Sequence, residues 1–436
     1  MNKTTLEIYF KSDKSSWFKV NEKGIQEWDN FKINEFWDWI RKFKMEVADL
    51  NFENYRFPKF NGLTFWREEE DREFNQNVNF RYAIFQGYTE FQGVKFNSYA
   101  DFIEANFIEL ASFNVTSFLL QVNFNNARFY NDVNFIVANF EKGVFTKTFF
   151  AKKAEFNNSY LKNTTFEGCN FSGMLNFTDA EFIENTLFYD THMNDAIFNN
   201  INLVNSKLKF ENIKFQKESI VLFKNIHFKE NVIFKNCNMT SIAFNNCKIE
   251  KPAFLDCDWK YNSRLILKDE KITKVDFKAF SPNLKEIEES YRQLKNYFEN
   301  EKNWELSSLA YVSEMEMRKK RLFIEKSYLP YFFYWFYGNF GSYTHNFIKP
   351  FLWFFNLTFI IAPIIYLFGY YFPFENNLLE IKNFNYFDAL KQSLTAALPF
   401  INSNIMYDSW WIMTLQTIFS GILLTFIILA LRKRFK

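Results

Sequence analysis

The sequence predicts two joined parts: an all-β solenoid that turns a corner about every five residues, then helices, two of them fit to cross a membrane. Three observations carry this reading. The 436 residues include 61 Phe against 11 Gly and 8 Pro, so Phe must be placed periodically and most turns form without the usual breakers. Large apolar residues recur in steps of five and six over about half the chain. Two stretches near the C-terminus, Phe351 to Phe372 and Trp410 to Leu431, carry no charge and match a hydrocarbon core of roughly 30 Å.

The beat runs through Phe80, Phe85, Phe91, Phe96, Phe102, Phe107, Phe113, Phe118, Phe124, Phe129, Phe135 and Phe140. It continues through Phe156, Leu161, Phe166, Phe171, Phe177, Phe182, Phe188, Met193, Phe198, Leu203 and Leu208. It slips near Lys209 to Leu222, where a bulge or irregular coil is expected, and resumes at Phe223, Phe228, Phe234, Met239, Phe244, Ile249, Phe254 and Trp259. On an α-helix, residues five or six apart fall about 140° and 240° around the axis, so no face would collect them. A strand of period two fails as well. A square coil that sends one large residue inward from each side satisfies the spacing. Two residues before each large one sits a slender one, as in Ala83, Val94, Ala100, Ala105, Ala111, Thr116, Val122 and Ala127, because a narrow interior cannot hold two bulky residues per side.

These residues resemble the pentapeptide-repeat family, with a central Leu or Phe, a small residue two before it, and Asn or Asp often just ahead, as at Asn79, Asn106, Asn123, Asn134, Asn139, Asn170 and Asn176. The resemblance implies a right-handed quadrilateral β-helix over 51–260, with phenyl rings stacked from coil to coil. That span gives roughly ten coils and, at about 4.8 Å per layer, a rod of roughly 45–50 Å. Cys169, Cys237, Cys247 and Cys257 each fall in the slender slot, so they read as small buried thiols and not as disulfides or metal ligands.

No catalytic residue, metal site or cofactor is expected. The three histidines, His192, His227 and His345, have no Cys or carboxylate at ligand spacing, and Asp179 with Glu181 reads as a solvated face. Net charge is +2, which makes no case for nucleic acid. Some soluble pentapeptide-repeat proteins inhibit gyrase by imitating DNA. That needs a strongly acidic rod, whereas residues 60–200 hold 18 acidic and 10 basic side chains and 201–260 hold 6 and 10, a net of only −4.

Residues 1–50, with Trp17, Trp28, Trp37 and Trp39, read as a cap on the first coil, with a recruitment module as the alternative. Met1 to Phe10 lacks an apolar core of signal-peptide length, so the repeats are expected in the cytosol. Over 261–327, Ser281-Pro282 offers a helix start before Leu284, Ile287, Tyr291, Leu294 and Phe298. A break at Glu301 to Asn303 precedes a second helix ending in the basic run Arg318 to Arg321, which together make a helical hairpin. The aromatic segment 328–346 has the composition of a membrane interface.

Residues 347–436 hold the two apolar spans. Basic residues cluster before the first (Arg318, Lys319, Lys320, Arg321, Lys326, Lys349) and after the second (Arg432, Lys433, Arg434, Lys436), while the loop 373–409 is net −2. The positive-inside rule then puts both termini in the cytoplasm and makes the chain a multi-pass protein of the cell inner (plasma) membrane. In the loop, Asp388 is placed to cap a short helix that Pro399 ends. Span, short re-entrant helix and span resemble the two-transmembrane ion-channel module, and the chain is similar from end to end to bacterial proteins that join it to pentapeptide repeats. The resemblance implies a pore helix with Asp388, Ser393, Thr395, Leu398, Pro399 and Phe400. Leu398-Pro399-Phe400-Ile401-Asn402 stands where potassium channels carry their glycine-containing filter, so potassium selectivity is not supported. Thr414, Thr417, Gly421 and Thr425 form a small or hydroxylated stripe for either a lumen or helix packing, and Pro363 reads as a tolerated kink. The expected protein is a homo-oligomer, a tetramer by analogy, bound to membrane lipid, with a cytosolic rod that senses or binds a protein partner. A non-conducting membrane scaffold is the alternative.

Overall fold

The computed structural model describes residues 17–46, 49–59, 72–259, 264–271, 283–371, 384–398 and 410–434. They divide into two compact units, Met1–Tyr261 with Ile266–Gln293, and Asn262–Leu265 with Leu294–Lys436. The division falls inside the helix Leu284–Asn300.

The first unit is a β-solenoid of about eight turns. One turn contains the short strands Val78–Asn79, Ile84–Phe85, Thr89–Glu90 and Lys95–Phe96, after which Ala100–Asp101 pairs in parallel on Val78–Asn79. Each turn repeats that pairing, so Phe107 aligns with Phe85 and Phe129. A turn takes 22 residues from Phe80 to Phe102 and 24 from Phe210 to Phe234, and the turns number about eight where the sequence suggested roughly ten.

The twelve Phe of the regular beat, Phe80 to Phe140, are all buried, and so are the slender residues that precede them. Parallel strands set coils about 4.8 Å apart, which is also a comfortable distance for offset stacked rings. Phe85 and Phe107 stack at 4.6 Å and 1°, and Phe102 and Phe124 at 4.9 Å and 10°. Rings of adjacent columns meet edge to face, as Phe102 and Phe113 do at 5.8 Å and 88°. Phe145 and Phe150 are further rungs that the beat passed over, with Gly143 and Thr148 ahead of them. Leu208 is corrected: it aligns with Thr186 in the slender slot, and Phe210 is the rung above Phe188, because the corner at Asn205 holds extra residues.

Two local devices explain the sequence preferences. An outward Asn or Asp accepts from the amide two residues on and so starts the corner, as Asn79 does from Arg81 at 2.9 Å and Asp101 from Ile103 at 3.0 Å. The corners then pass through positive φ, which Asn126, Asn158, Asn200 and Asn225 adopt in place of glycine. In the slender slot, a polar side chain donates to the carbonyl of a Phe one coil back. Thr116 reaches Phe91 O at 2.7 Å, Thr191 reaches Phe166 O at 2.9 Å, and Cys247 reaches Phe223 O at 3.2 Å. All four cysteines are free, Cys257 being half-buried and the others buried. Burial pushes the Cys169 thiol up to about 12.

The expected irregularity lies where the turn from Phe198 to Phe223 takes 25 residues. Beyond it, His227–Phe228 pairs with Lys248–Ile249 in a two-stranded sheet of its own.

Both solenoid ends are covered. At the N-terminal end, helix Asn30–Glu46 buries Ile33, Phe36, Trp37 and Ile40, spaced 3, 1 and 3 along one face. Trp37 stacks on Phe57 of the first coil at 6.0 Å, and Phe36 meets it edge-on at 5.9 Å. At the C-terminal end, Ile242–Asn245 is the last strand of its sheet and offers Phe244 N–H and C=O. Asp269 Oδ2, on the 3-10 turn Lys268–Lys271, accepts from that N–H at 3.0 Å, and Ser290 Oγ donates to that carbonyl at 2.7 Å. Gln293 Oε1 accepts from Ile249 N at 2.6 Å. The sheet edge is thus closed by side chains instead of a further coil. Ser281 and Pro282 lie outside the described residues, and Asn283 with Glu286 makes the capping box of the helix that supplies Ser290 and Gln293.

Asp269 is 4% exposed, and its Oδ1 finds no hydrogen-bond partner among the described residues. Burial raises its carboxyl to about 7, against the opposing pull of the Phe244 amide. The folded state therefore holds a proton that the unfolded chain releases near pH 4, so stability falls as pH rises from about 4 to about 7 and then levels. Asp269→Asn keeps the acceptor without the charge. It is expected to raise the unfolding midpoint at pH 8 and flatten the pH profile of the melt. Phe124→Ala, which opens a cavity mid-stack, is expected to cost about 3–5 kcal/mol in denaturant unfolding, and Phe254→Ala at the half-buried end clearly less.

Candidate functional site in the apolar helices

The second unit begins with the rest of helix Leu284–Asn300, then the helix Trp304–Ile324. Asn303 caps this second connector helix by accepting from Leu306 N at 3.1 Å, so the chain breaks where the sequence predicted. The aromatic segment is a helix, Tyr328–Gly341, with Leu329, Phe332 and Phe333 exposed. Two helices are long and apolar enough to cross a membrane, Ile348–Tyr370 and Trp410–Lys433, each with a mean hydropathy of 2.1.

Between them the loop helix Tyr386–Ala397 packs against both spans. Its cap is Asn385, one turn earlier than expected. Asp388 sits at the third helical position, and its carboxylate accepts from Asn385 N at 3.2 Å while Asn385 Oδ1 accepts from Asp388 N at 3.2 Å. This reciprocal pair corrects the reading of Asp388 as the cap itself.

The first span contains a π-helical turn, Leu357–Ile361, directly before Pro363. Proline has no N–H to give, so the carbonyls four and five residues back, Phe359 and Thr358, lose their helical donor. The loop helix supplies both donors. Ser393 Oγ donates to Thr358 O at 2.7 Å, and Tyr386 Oη donates to Phe359 O. The second span completes the staple: Gln416 Nε2 donates to Ser393 O at 2.9 Å and to Ser393 Oγ at 2.7 Å, and Tyr366 Oη donates to Gln416 Oε1 at 2.9 Å. Thr358, Tyr366, Ser393 and Gln416 are all buried. Where water is excluded an unpaired backbone carbonyl is costly, so this pairing fixes where the loop helix docks.

Of the pore-helix candidates, Ser393 is at the centre of this network. Thr395 is half-buried and donates to Lys391 O at 2.9 Å, Leu398 ends the helix with its N–H on Leu394 O, and Pro399 and Phe400 lie outside the described residues. The stripe Thr414, Thr417, Gly421 and Thr425 is exposed, whereas Ile412, Gln416, Ser420 and Leu423 form the packed side of the second span. Thr414, Thr417 and Thr425 donate to the carbonyls four residues back at 2.7 to 2.8 Å, and Thr417 also reaches Ala396 O at 3.0 Å. A Cβ on Gly421 would meet nothing within 4 Å, so this glycine serves no packing among the described residues.

Sequence reasoning missed Tyr366, Gln416 and Tyr386. A lone Gln in an uncharged span was the available signal, since polar groups at membrane depth are costly to keep.

At the far end of the second span, Lys433 Nζ lies 4.6 Å from the ring centre of Tyr311, with Lys295 Nζ at 5.3 Å. His345 Nδ1 is 2.8 Å from Ser308 Oγ, and burial together with Lys433 holds its imidazole below the usual histidine range.

A family model for Pentapeptide repeats (9 copies) matches residues 156–202. No curated protein and no solved structure gives a match. The first unit is thus a β-solenoid whose residues 156–202 match the pentapeptide-repeat model, on a chain with two helices of membrane-spanning length.

Gln416→Leu removes the middle of the staple and takes away the acceptor of the buried Tyr366 hydroxyl. It is expected to loosen the loop helix by about 1–2 kcal/mol, read as faster thiol labelling of a cysteine introduced at Ala396, with solenoid melting unchanged.

Proposed function

We propose that the chain is one subunit of an oligomeric membrane pore, with the solenoid as a cytosolic domain that senses or binds a protein partner. The staple of Ser393, Gln416 and Tyr366 on the first-span carbonyls is the observation that carries the reading. It holds a short helix between two spans by buried polar contacts, which is what a re-entrant pore helix needs. With Gln416 turned to that helix and Ser420 buried, the stripe Thr414, Thr417, Gly421 and Thr425 is left for a lumen or a neighbouring subunit. Two spans cannot enclose a pore alone, so assembly is required, as a tetramer by analogy with two-transmembrane channels. The basic clusters flanking the spans support the inner (plasma) membrane with both termini cytoplasmic, and lipid as a constant partner. Four strand positions per turn support a right-handed quadrilateral solenoid, in keeping with the repeat family. The role is not enzymatic and needs no nucleic acid.

One observation favours the second reading, a non-conducting membrane scaffold: each stripe hydroxyl already donates to its own helix and needs no water. Recording from purified protein in planar bilayers separates the two. A pore conducts, and Thr417→Leu with Thr425→Leu reduces that conductance at least tenfold. Silence under varied voltage, tension and lipid sinks the pore and leaves the scaffold.

A further inference from the structure

Between the aromatic helix and the first span, Ser342, Tyr343 and Thr344 lie consecutively in the left-handed region, with φ of 49°, 49° and 57°. None is glycine. Each L-residue there crowds its Cβ against a carbonyl oxygen, most severely the branched Thr344. At the other non-glycine sites among the described residues, positive φ occurs singly. Here His345 N donates to Ser342 O at 2.9 Å and closes a full left-handed turn.

The ring and hydroxyl of Tyr343 anchor the turn to the connector. Tyr343 is 2% exposed, packs on Val312 and Met315 of the second connector helix, and donates from Oη to Glu316 Oε1 at 2.9 Å. Its ring meets Tyr337 edge-on at 5.2 Å and 87°. Glycine at 338 makes the pocket, since a Cβ there would lie 2.6 Å from Tyr343 Oη. Gly341 does the same for Phe426 of the second span, whose ring a Cβ would approach to 2.8 Å. The aromatic helix is therefore clasped by the connector through Tyr343 and by the second span through Phe426. Strained backbone persists only where its surroundings over-determine it, and it marks elements with a second state.

We propose that Ser342–Thr344 is a sprung latch. With Tyr343 seated, the start of the first span is held against the connector; with Tyr343 withdrawn, the turn relaxes to ordinary backbone and the span is freed to reorient. The bearing of this latch on opening rests on the pore reading, whereas the latch itself does not.

Hydrogen exchange on the full-length protein in lipid nanodiscs tests it. Tyr343→Phe keeps the ring and loses the hydroxyl. It is expected to speed exchange over residues 337–347 about tenfold, with residues 100–140 unchanged. Ser342→Gly and Thr344→Gly relieve strain with the anchor intact, and each is expected to slow exchange there and raise the melting midpoint. Unchanged exchange in Tyr343→Phe, or faster exchange in the glycine variants, overturns the latch. The same variants in bilayers should shift open probability in opposite directions. The expected exchange shifts in a protein that never conducts uphold the latch while the pore reading falls; those shifts in a conducting protein with unaltered opening overturn its regulatory role.

Discussion

Backbone carbonyls and amides have to be paired wherever water is excluded, and both units of this chain are organised around that requirement. In the solenoid, each coil pairs with the next, and the resulting spacing of about 4.8 Å is what lets phenyl rings stack without gap or clash. The apolar core is therefore a consequence of the ladder as much as its cause. Where the ladder ends, Asp269, Ser290 and Gln293 replace the missing coil with side-chain groups.

The membrane-length helices meet the same requirement from the opposite direction. Pro363 and the π-helical turn before it leave carbonyls without donors, and the loop helix docks by supplying them through Ser393 and Tyr386. A defect in one helix thus becomes the binding site for another. The slender slot of the solenoid works alike, with Thr and Cys donating to Phe carbonyls that the pleat turns inward. Such contacts are tolerant of residue type, which is why alanine, threonine and cysteine alternate there without a change of fold.

Exposure separates the two faces of the second span by chemistry. Gln416 and Ser420 are spent on internal packing, while the threonine stripe is hydroxylated but self-satisfied. Glycine is used sparingly and for room: Gly338 and Gly341 admit rings, and Gly421 keeps an outer face open.

By itself the sequence determined the repeat, the depth of the Phe core, the cap of aromatic residues ahead of it and the two apolar spans. Those features are periodic or compositional, and the period is imposed locally by pleat, corner and bilayer thickness. Phe145 and Phe150 were skipped where a corner drops one residue, and Leu208 was misplaced where a corner gains one, because a shift of that size leaves no local mark in the sequence. Asn385 rather than Asp388 as the cap likewise depended on where the helix began. Only the tertiary structure could bring Thr358, Tyr366, Ser393 and Gln416 together, or set Tyr343 against Glu316. Those partners are separated by tens of residues, and nothing in a linear chain records which freed carbonyl a distant hydroxyl will reach.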